Sequence, residues 1–328
     1  MKKITALLLA LFMLVGVLAG CGKQNDTNQT DKLSIVTTIF PEYDWVREIL
    51  GDKADNAEIT MLLDNGVDLH SYQPTADDIV KISDCDLFIY VGGESDEWVE
   101  DALRNAANRN MKVINLLEVL GDSVKTEEIV EGMQEEEHEH EDVEEHEHEE
   151  EADEHVWLSL KNAKMLVRVI SKALQELDPN NKDIYAANAD AYVKKLSALD
   201  AEYQAAVDAA SNKTILFGDR FPFRYLVDDY GLRYYAAFVG CSAETEAGFE
   251  TISFLAKRVD ELKLPCVLTI EGAQHKIAET IVWNTTTKNQ KVLTMDSMQS
   301  TTTQDVKNGT TYLSVMEKNL SVLKEALR

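Results

Sequence analysis

Basic residues are scarce in this chain of 328 residues: 32 lysines and arginines stand against 59 aspartates and glutamates, for a formal net charge of -27. Such a charge excludes nucleic acid as a partner and should attract cations. No apolar run beyond the N-terminus is long enough to span a bilayer. Cysteine is also rare, since only Cys85, Cys241 and Cys266 follow Cys21. One disulfide is therefore conceivable, with Cys241 and Cys266 in the same half of the chain, although their spacing does not decide it.

The N-terminus has the features of a secretory signal. Two lysines precede an apolar run from Ile4 to Leu18, which is too short for a stable membrane span. The run ends in Leu-Ala-Gly-Cys, which resembles a bacterial lipobox in which Cys21 is acylated. We therefore expect a lipoprotein signal peptide over residues 1–20 and a polar, flexible tether over residues 21–32. The protein is then expected to be exported and lipid-anchored to the outer face of the bacterial cell membrane.

An acidic, histidine-rich segment occupies residues 134–154. Four of its histidines alternate with glutamate, namely His138, His140, His146 and His148. The segment has little apolar surface to bury and its like charges repel, so we expect a mobile loop. A solvated acidic linker is the simplest interpretation. The density of imidazoles nevertheless favours a loop that collects metal ions, because neutral histidine suits zinc, copper and nickel.

From residue 33 onward, short β-rich runs alternate with helical patterns, which predicts βα units and parallel sheets. Residues 180–210 interrupt this alternation, because tyrosine and aliphatic positions recur there every three to four residues, as on one face of a long helix. We therefore predict an α/β fold in which two lobes, residues 33–179 and 211–328, are joined by this helix. Ligands of such folds bind at the carboxyl ends of the strands, so the cleft between the lobes is the expected site.

Four ionisable residues fall where a predicted strand gives way to a loop, namely His70, His155, Asp219 and Asp296. Two imidazoles with carboxylates make a mixed nitrogen and oxygen donor set that suits a divalent transition metal. A lone histidine in a loop is often merely exposed. Two of them at strand ends of an exported, histidine-rich chain favour a metal site.

Several segments resemble the zinc-binding lipoproteins of bacterial ABC importers, the ZnuA/TroA-like cluster A-I solute-binding proteins; they are LHSYQPTADDI, EHVWLSLKNA, FRYLVDDYGL, AETEAGFETISFLAKRV and TYLSVMEKNLSVLKEAL. The resemblance covers nearly the whole mature chain. It implies two lobes on a long backbone helix, a buried metal between them, and delivery of that metal to a membrane permease with a cytoplasmic ATPase. It also implies that His70, His155 and Asp296 are metal ligands.

The third ligand departs from the pattern of the resembling family. The position where that family places a histidine or glutamate holds Arg220, which is permanently charged and cannot coordinate a metal. Asp219 is the first substitute and His275 the second, while Glu271 is a candidate for orienting a ligand imidazole. An alternative is that Arg220 pairs with Asp219 or Asp296 and that water or a loop histidine completes the site.

These observations predict a monomeric extracytoplasmic receptor that captures Zn²⁺ and is not an enzyme. Because imidazole must be neutral to coordinate, its affinity should fall in mild acid. A manganese or iron receptor of the same fold is one alternative, and an extracellular zinc buffer or adhesin is another. A metallohydrolase is disfavoured, since the sequence has no HExxH motif and no evident general base.

Overall fold

The structure, a computed structural model, describes residues 32–134, 151–242, 246–272 and 275–328. The predicted signal peptide with Cys21 lies outside these residues, as do the four loop histidines, His138, His140, His146 and His148. Helices and strands are numbered below in chain order within the described residues.

A four-stranded parallel sheet organises the N-terminal half, with strand order β2-β1-β3-β4. The strands are β1 Leu33–Thr37, β2 Ala57–Met61, β3 Leu87–Tyr90 and β4 Lys112–Asn115. Ile35 of β1 lies between Ile59 of β2 and Leu87 of β3 in the register. Ile35 and Leu87 are fully buried. The central strands are therefore short apolar runs without polar alternation, as parallel strands covered on both faces require.

Helices follow each of these strands and bring the loops of interest to the carboxyl edge of the sheet. They are α1 Phe40–Leu50, α2 Ala76–Asp84, α3 Trp98–Arg104 and α4 Leu116–Leu120. The start of α2 is fixed by a capping box, in which Thr75 accepts from the amide of Asp78 and the Asp78 carboxylate accepts from the amide of Thr75. The first turn of α2 therefore follows directly on the loop that carries His70.

Two long helices connect the halves, α5 Leu160–Leu177 and α6 Lys182–Ala209. The Ser159 hydroxyl caps α5 by accepting from the amide of Asn162 at 3.0 Å. Helix α6 has 28 residues, which at 1.5 Å per residue is about 42 Å long. Its apolar face is buried, and Tyr203 on that face donates to the carbonyl oxygen of Met316 at 2.7 Å. The long helix predicted from tyrosine spacing is thus present, with its ends moved by one or two residues.

The C-terminal half contains three parallel strand pairs, β5–β7, β6–β8 and β9–β10. The strands are β5 Thr214–Leu216, β6 Arg220–Phe221, β7 Arg233–Tyr235, β8 Phe238–Val239, β9 Cys266–Thr269 and β10 Lys291–Thr294. The helices are α7 Arg224–Tyr230, α8 Phe249–Leu262, α9 Lys276–Asn284, α10 Thr303–Lys307 and α11 Tyr312–Ala326. A bridge between Phe217 and Leu268 links the first pair to the third. The β6–β8 pair, two residues each, was too short to be predicted from periodicity.

Cys85, Cys241 and Cys266 are all free thiols. The disulfide considered for Cys241 and Cys266 is therefore not formed, because Cys266 is buried in β9 while Cys241 lies in the turn after β8. Cys85 is fully buried. Within the described ranges, no helix combines the length and apolarity that crossing a membrane would need.

Candidate metal centre

His155 is held by the aspartate two residues before it. One oxygen of the Asp153 carboxylate accepts from both the His155 amide and ring Nδ1, each at 2.9 Å. Both side chains are almost completely buried. The segment around Asp153 is itself anchored, because the Asp153 amide donates to the carbonyl oxygen of Lys125 at 2.8 Å. His155 is therefore held through Nδ1, which leaves Nε2 for a ligand.

His70 lies in a 3-10 turn, Leu69–Ser71, after β2. The Asp68 carboxylate caps this turn by accepting from the His70 amide at 3.1 Å. Ring Nδ1 of His70 lies 2.8 Å from the Ser95 hydroxyl and 3.4 Å from the Glu154 carboxylate. The second imidazole is therefore also held through Nδ1, and its Nε2 lies 3.3 Å from Nε2 of His155.

The two imidazoles differ in protonation. Burial, together with the nearby His155 ring, lowers the pKa of His70, so His70 is neutral. Burial also opposes charge on His155, but the carboxylate of Asp153, followed by those of Glu154 and Glu127, outweighs it and raises the pKa of His155. A proton between the two rings is therefore held by His155 in preference to His70. A metal ion between the two rings must displace that proton, so acid competes with the metal.

A third donor reaches the same place. The thiol of Cys241 and one ring nitrogen from each histidine all lie within 4.8 Å of one another. Within the described ranges, they are the one group of three or more histidine, cysteine, aspartate or glutamate side chains that converges in this way. Cys241 was not among the predicted ligands, because a cysteine of an exported chain was considered only as a disulfide partner. The available signal was its place after Gly240, close behind the β-rich run LRYYAAF.

The predicted oxygen donors are engaged elsewhere and are not members of the converging group. The Asp219 carboxylate accepts from the Thr269 hydroxyl at 2.5 Å and from the Arg220 amide at 2.9 Å. Asp296 accepts from the amide of Met298 at 2.8 Å. His275 Nδ1 lies 3.1 Å from the Thr269 hydroxyl. The structure brings His70 and His155 together, whereas ligation by Asp219, Asp296 or His275 stays a prediction.

Glu271 organises the loop after β10. Its carboxylate accepts from the Ser297 amide at 2.6 Å, the Ser297 hydroxyl at 2.7 Å and the Gln299 amide at 3.1 Å. In the orientation that satisfies its side-chain amide, Gln299 donates to Asp68 at 3.0 Å and accepts from His155 Nε2 at 3.2 Å. Glu271 therefore acts on the histidine pair through Gln299 and does not touch either ring.

Arg220 connects segments that are far apart in sequence. Its guanidinium donates to the Asp68 carboxylate at 2.6 Å and to the Ser242 carbonyl oxygen at 3.3 Å. The pairing with Asp219 or Asp296 considered from the sequence is replaced by this contact, although the Arg220 amide does donate to Asp219. Arg220 thus ties the turn that carries His70 to the turn that carries Cys241.

A sequence model of the ZnuA family, described as "Zinc-uptake complex component A periplasmic", matches residues 35–326. The chain belongs to this family. The resemblance inferred from the motifs around His70 and His155 is confirmed, and so is the α/β fold class with parallel sheets and a long helix.

Two curated members of the ZnuA family illustrate the relationship. The chain is 34% identical over 327 residues to the zinc-binding lipoprotein AdcA of Streptococcus pneumoniae, an alignment that covers 99% of this chain and 61% of that protein. It thus spans about three fifths of that relative's length. It is 32% identical over 322 residues to the high-affinity zinc uptake system protein ZnuA of Bacillus subtilis, covering 97% of this chain and 95% of that protein.

A solved member of the family has the same fold. The Zn(II)-bound ZnuA-like domain of Streptococcus pneumoniae AdcA superposes with a TM-score of 0.69 and is 30% identical in sequence. The superposition covers 90% of this chain and 99% of that domain. This chain is therefore similar, over most of its length, to a domain whose crystal structure contains zinc.

Proposed function

We propose that this protein is the extracytoplasmic receptor of a zinc importer, which captures Zn²⁺ at His70 and His155 and delivers it to an ABC permease driven by a cytoplasmic ATPase. The 3.3 Å separation of the two Nε2 atoms is the observation that supports this most strongly. Two nitrogens bound to one tetrahedral zinc ion at about 2.05 Å lie about 3.3 Å apart. The rings thus stand at the separation that a shared zinc ion requires.

The surrounding residues would keep the rings in that arrangement. Asp153 holds Nδ1 of His155 and Ser95 holds Nδ1 of His70, beside which the Glu154 carboxylate lies at 3.4 Å. Both Nε2 lone pairs can therefore face one ion once the shared proton leaves. Carboxylates that accept from a ligand imidazole fix the ring and make it a better donor. We propose capture without chemical conversion, with the ion as cargo.

The competing assignment, a manganese or iron receptor, is less well supported by these contacts. Manganese prefers carboxylate, carbonyl and water oxygens, whereas imidazole suits zinc. The carboxylates of Asp219 and Asp296 accept hydrogen bonds from Thr269, Arg220 and Met298 within their own half of the chain. The donors that converge are two imidazole nitrogens and the sulfur of Cys241, which favours zinc.

We further propose that residues 135–150 collect zinc weakly and raise its local concentration at the tight site. The chain on both sides of that stretch is anchored beside the site. The Gln134 amide donates to the Ala237 carbonyl oxygen at 2.9 Å, and Asp153 is bound to both Lys125 and His155. Asp153 and Glu154, which the sequence analysis included in the loop, are therefore residues of the tight site.

Metal titration of the purified full-length chain tests the capture step. We expect one zinc ion to survive competition with a strong chelator, and manganese not to displace it. The variant His70→Ala should lose the tight zinc, whereas His275→Ala, which removes a histidine outside the converging group, should keep it. Retention of the tight zinc in His70→Ala, or equal binding of manganese, would exclude this assignment of site or ion.

Delivery needs a separate measurement, because a receptor and an extracellular zinc buffer bind zinc equally well. We expect uptake of radioactive zinc to fall in cells that lack this chain, and to be restored by the wild-type chain but not by His70→Ala. Unchanged uptake would favour the buffer or adhesin. The variant Cys21→Ala tests the proposed lipid anchor, since it should release the protein from the cell surface into the medium.

A further inference from the structure

The turn after β8 is built against the imidazole of His155. A Cβ atom on Gly240 would lie 3.0 Å from Cε1 of His155 and 3.0 Å from the carbonyl oxygen of Phe221. Those separations are tighter than ordinary van der Waals contact, so a side chain at position 240 would push the ring or the turn away. Glycine at this position lets the backbone that precedes Cys241 lie directly against the histidine.

Two further contacts hold Cys241 in place. The Glu127 carboxylate accepts from the Cys241 amide at 2.9 Å. On the other side of the cysteine, the Ser242 carbonyl oxygen accepts from Arg220, whose guanidinium also binds the Asp68 carboxylate. The position of the thiol is therefore set by residues from three separate segments, and one of them is the segment that carries His70.

Building on the proposed zinc function, we infer that the Cys241 thiolate is a third zinc ligand, so that His70, His155 and Cys241 form a His₂Cys site. Nothing in the sequence motifs or in the names of the relatives points to a sulfur ligand. The observation that carries the inference is the convergence of the Cys241 sulfur with the two ring nitrogens.

The geometry needs little adjustment. In a tetrahedral complex with Zn–S about 2.3 Å and Zn–N about 2.05 Å, sulfur lies about 3.5 Å from each nitrogen. The sulfur and the nitrogens are at most 4.8 Å apart in the structure. The thiol must therefore approach the histidine pair by no more than about 1.3 Å, a distance that rotation about one side-chain bond or a small shift of the turn can supply. On binding, the thiol hydrogen leaves as a proton and the Zn–S bond takes its place.

A thiolate would determine which ions the site selects. Sulfur is a soft donor that binds zinc well and manganese poorly, because manganese prefers oxygen. With Arg220 beside the site and unable to coordinate, the sulfur of Cys241 would provide the third bond on the side of the C-terminal strands. The same thiolate should make the site sensitive to thiol oxidants, to which the two imidazoles are indifferent.

Cobalt substitution tests the inference directly. We would add one equivalent of Co²⁺ to the metal-free full-length chain and record its absorption, because a cobalt–thiolate bond gives an intense near-ultraviolet charge-transfer band that imidazole and carboxylate do not give. The band should appear in the wild type and in Cys266→Ala, a matched control that removes a buried thiol outside the group. It should be absent in Cys241→Ala, whose zinc affinity should fall by about a hundredfold or more, beyond the usual effect of removing a residue that only orients a ligand.

X-ray absorption at the zinc edge provides a second measurement that needs no variant. The wild-type zinc complex should contain one sulfur at about 2.3 Å beside nitrogen or oxygen at about 2.0–2.1 Å. Tight zinc without a sulfur neighbour, or a cobalt band that persists in Cys241→Ala, would overturn ligation by Cys241 and leave the zinc receptor intact. Absence of any tight zinc in the wild type would instead overturn the proposed function, so the two failures are distinguishable.

Discussion

The variant Asp153→Asn should weaken zinc binding without unfolding the protein. One Asp153 oxygen accepts from both the amide and Nδ1 of His155 at 2.9 Å, and it is buried with the ring. Asparagine keeps the size and one accepting oxygen but loses the charge. A hydrogen bond to a charged group contributes about 1.5–3 kcal/mol, which corresponds to a loss of affinity of about tenfold to a hundredfold.

The size of this loss should depend on pH. Carboxylates including Asp153 raise the pKa of His155 above its usual value in spite of burial, so Asp153 also stabilises the proton that zinc must displace. In Asp153→Asn the pKa of His155 falls and the proton competes less. At pH 8, where the ring carries less proton than at pH 6, more of the loss should be seen. At pH 6 the difference between variant and wild type should be smaller, because the wild type is then weakened more by protonation.

Chelator competition at pH 8 and pH 6 provides the measurement, and Asp229→Asn is the matched control. Asp229 accepts from the Ser159 hydroxyl at 2.6 Å and belongs to no converging group of metal donors among the described residues, so its variant should bind zinc like the wild type. Circular dichroism would show that both variants fold. If Asp153→Asn is folded and its zinc affinity at pH 8 is within twofold of the wild-type value, the role assigned to this carboxylate is refuted.

Three other outcomes are expected. Deleting residues 135–150 should remove weak zinc sites and keep the tight one, as counted by titration calorimetry; loss of the tight zinc would contradict the division of roles. A double-mutant cycle with Arg220→Met and Asp68→Asn, measured by urea unfolding of metal-free protein, should give a coupling energy of about 1–2 kcal/mol, a value between those of exposed and of buried ion pairs. A coupling energy near zero would show that this ion pair does not link the turn of His70 to the turn of Cys241. Burial raises the pKa of Asp44 to about 7. Between about pH 4 and pH 7 the folded protein therefore binds a proton at Asp44 that the unfolded chain has lost, so the stability of the fold decreases as the pH rises towards 7. Asp44→Asn, which can still accept from the Tyr312 amide, should therefore gain about 2.7 kcal/mol of stability relative to the wild type between pH 5 and pH 8, and parallel pH profiles would exclude this.

The parts of the fold that could be predicted are those with a local signal. The buried strands are continuous apolar runs, α6 has its tyrosines at helical spacing, and α2 starts at a capping box, so each can be identified from a few consecutive residues. His70 and His155 could be found for a similar reason, because each lies at the end of a predicted strand or loop. The strands β6 and β8 have two residues each, too few to show a periodicity, and could not be predicted.

The rest of the site depends on contacts between distant segments. Asp68 and Arg220 are 152 positions apart in the sequence, and no local pattern indicates that they meet. The role of Asp153 could not be recognised from composition, since it lies near the end of an acidic run whose carboxylates are indistinguishable in the sequence. Cys241 could not be recognised as a metal ligand, because a cysteine in an exported protein first suggests a disulfide. Each of these residues acquires its role only when the chain is folded.

The net charge of the chain explains attraction to cations but not selection among them, because a charge of -27 attracts calcium, magnesium and manganese as well as zinc. Selection must come from the donors that remain free at the site. Three carboxylates around the imidazoles already accept from protein donors: Asp153 from His155, Asp68 from Arg220, and Glu271 from Ser297. Because these three carboxylates already accept hydrogen bonds, they are poorer ligands for a hard cation, whereas the two Nε2 atoms become available as soon as one proton leaves. These acidic residues thus favour zinc indirectly, by orienting nitrogen donors.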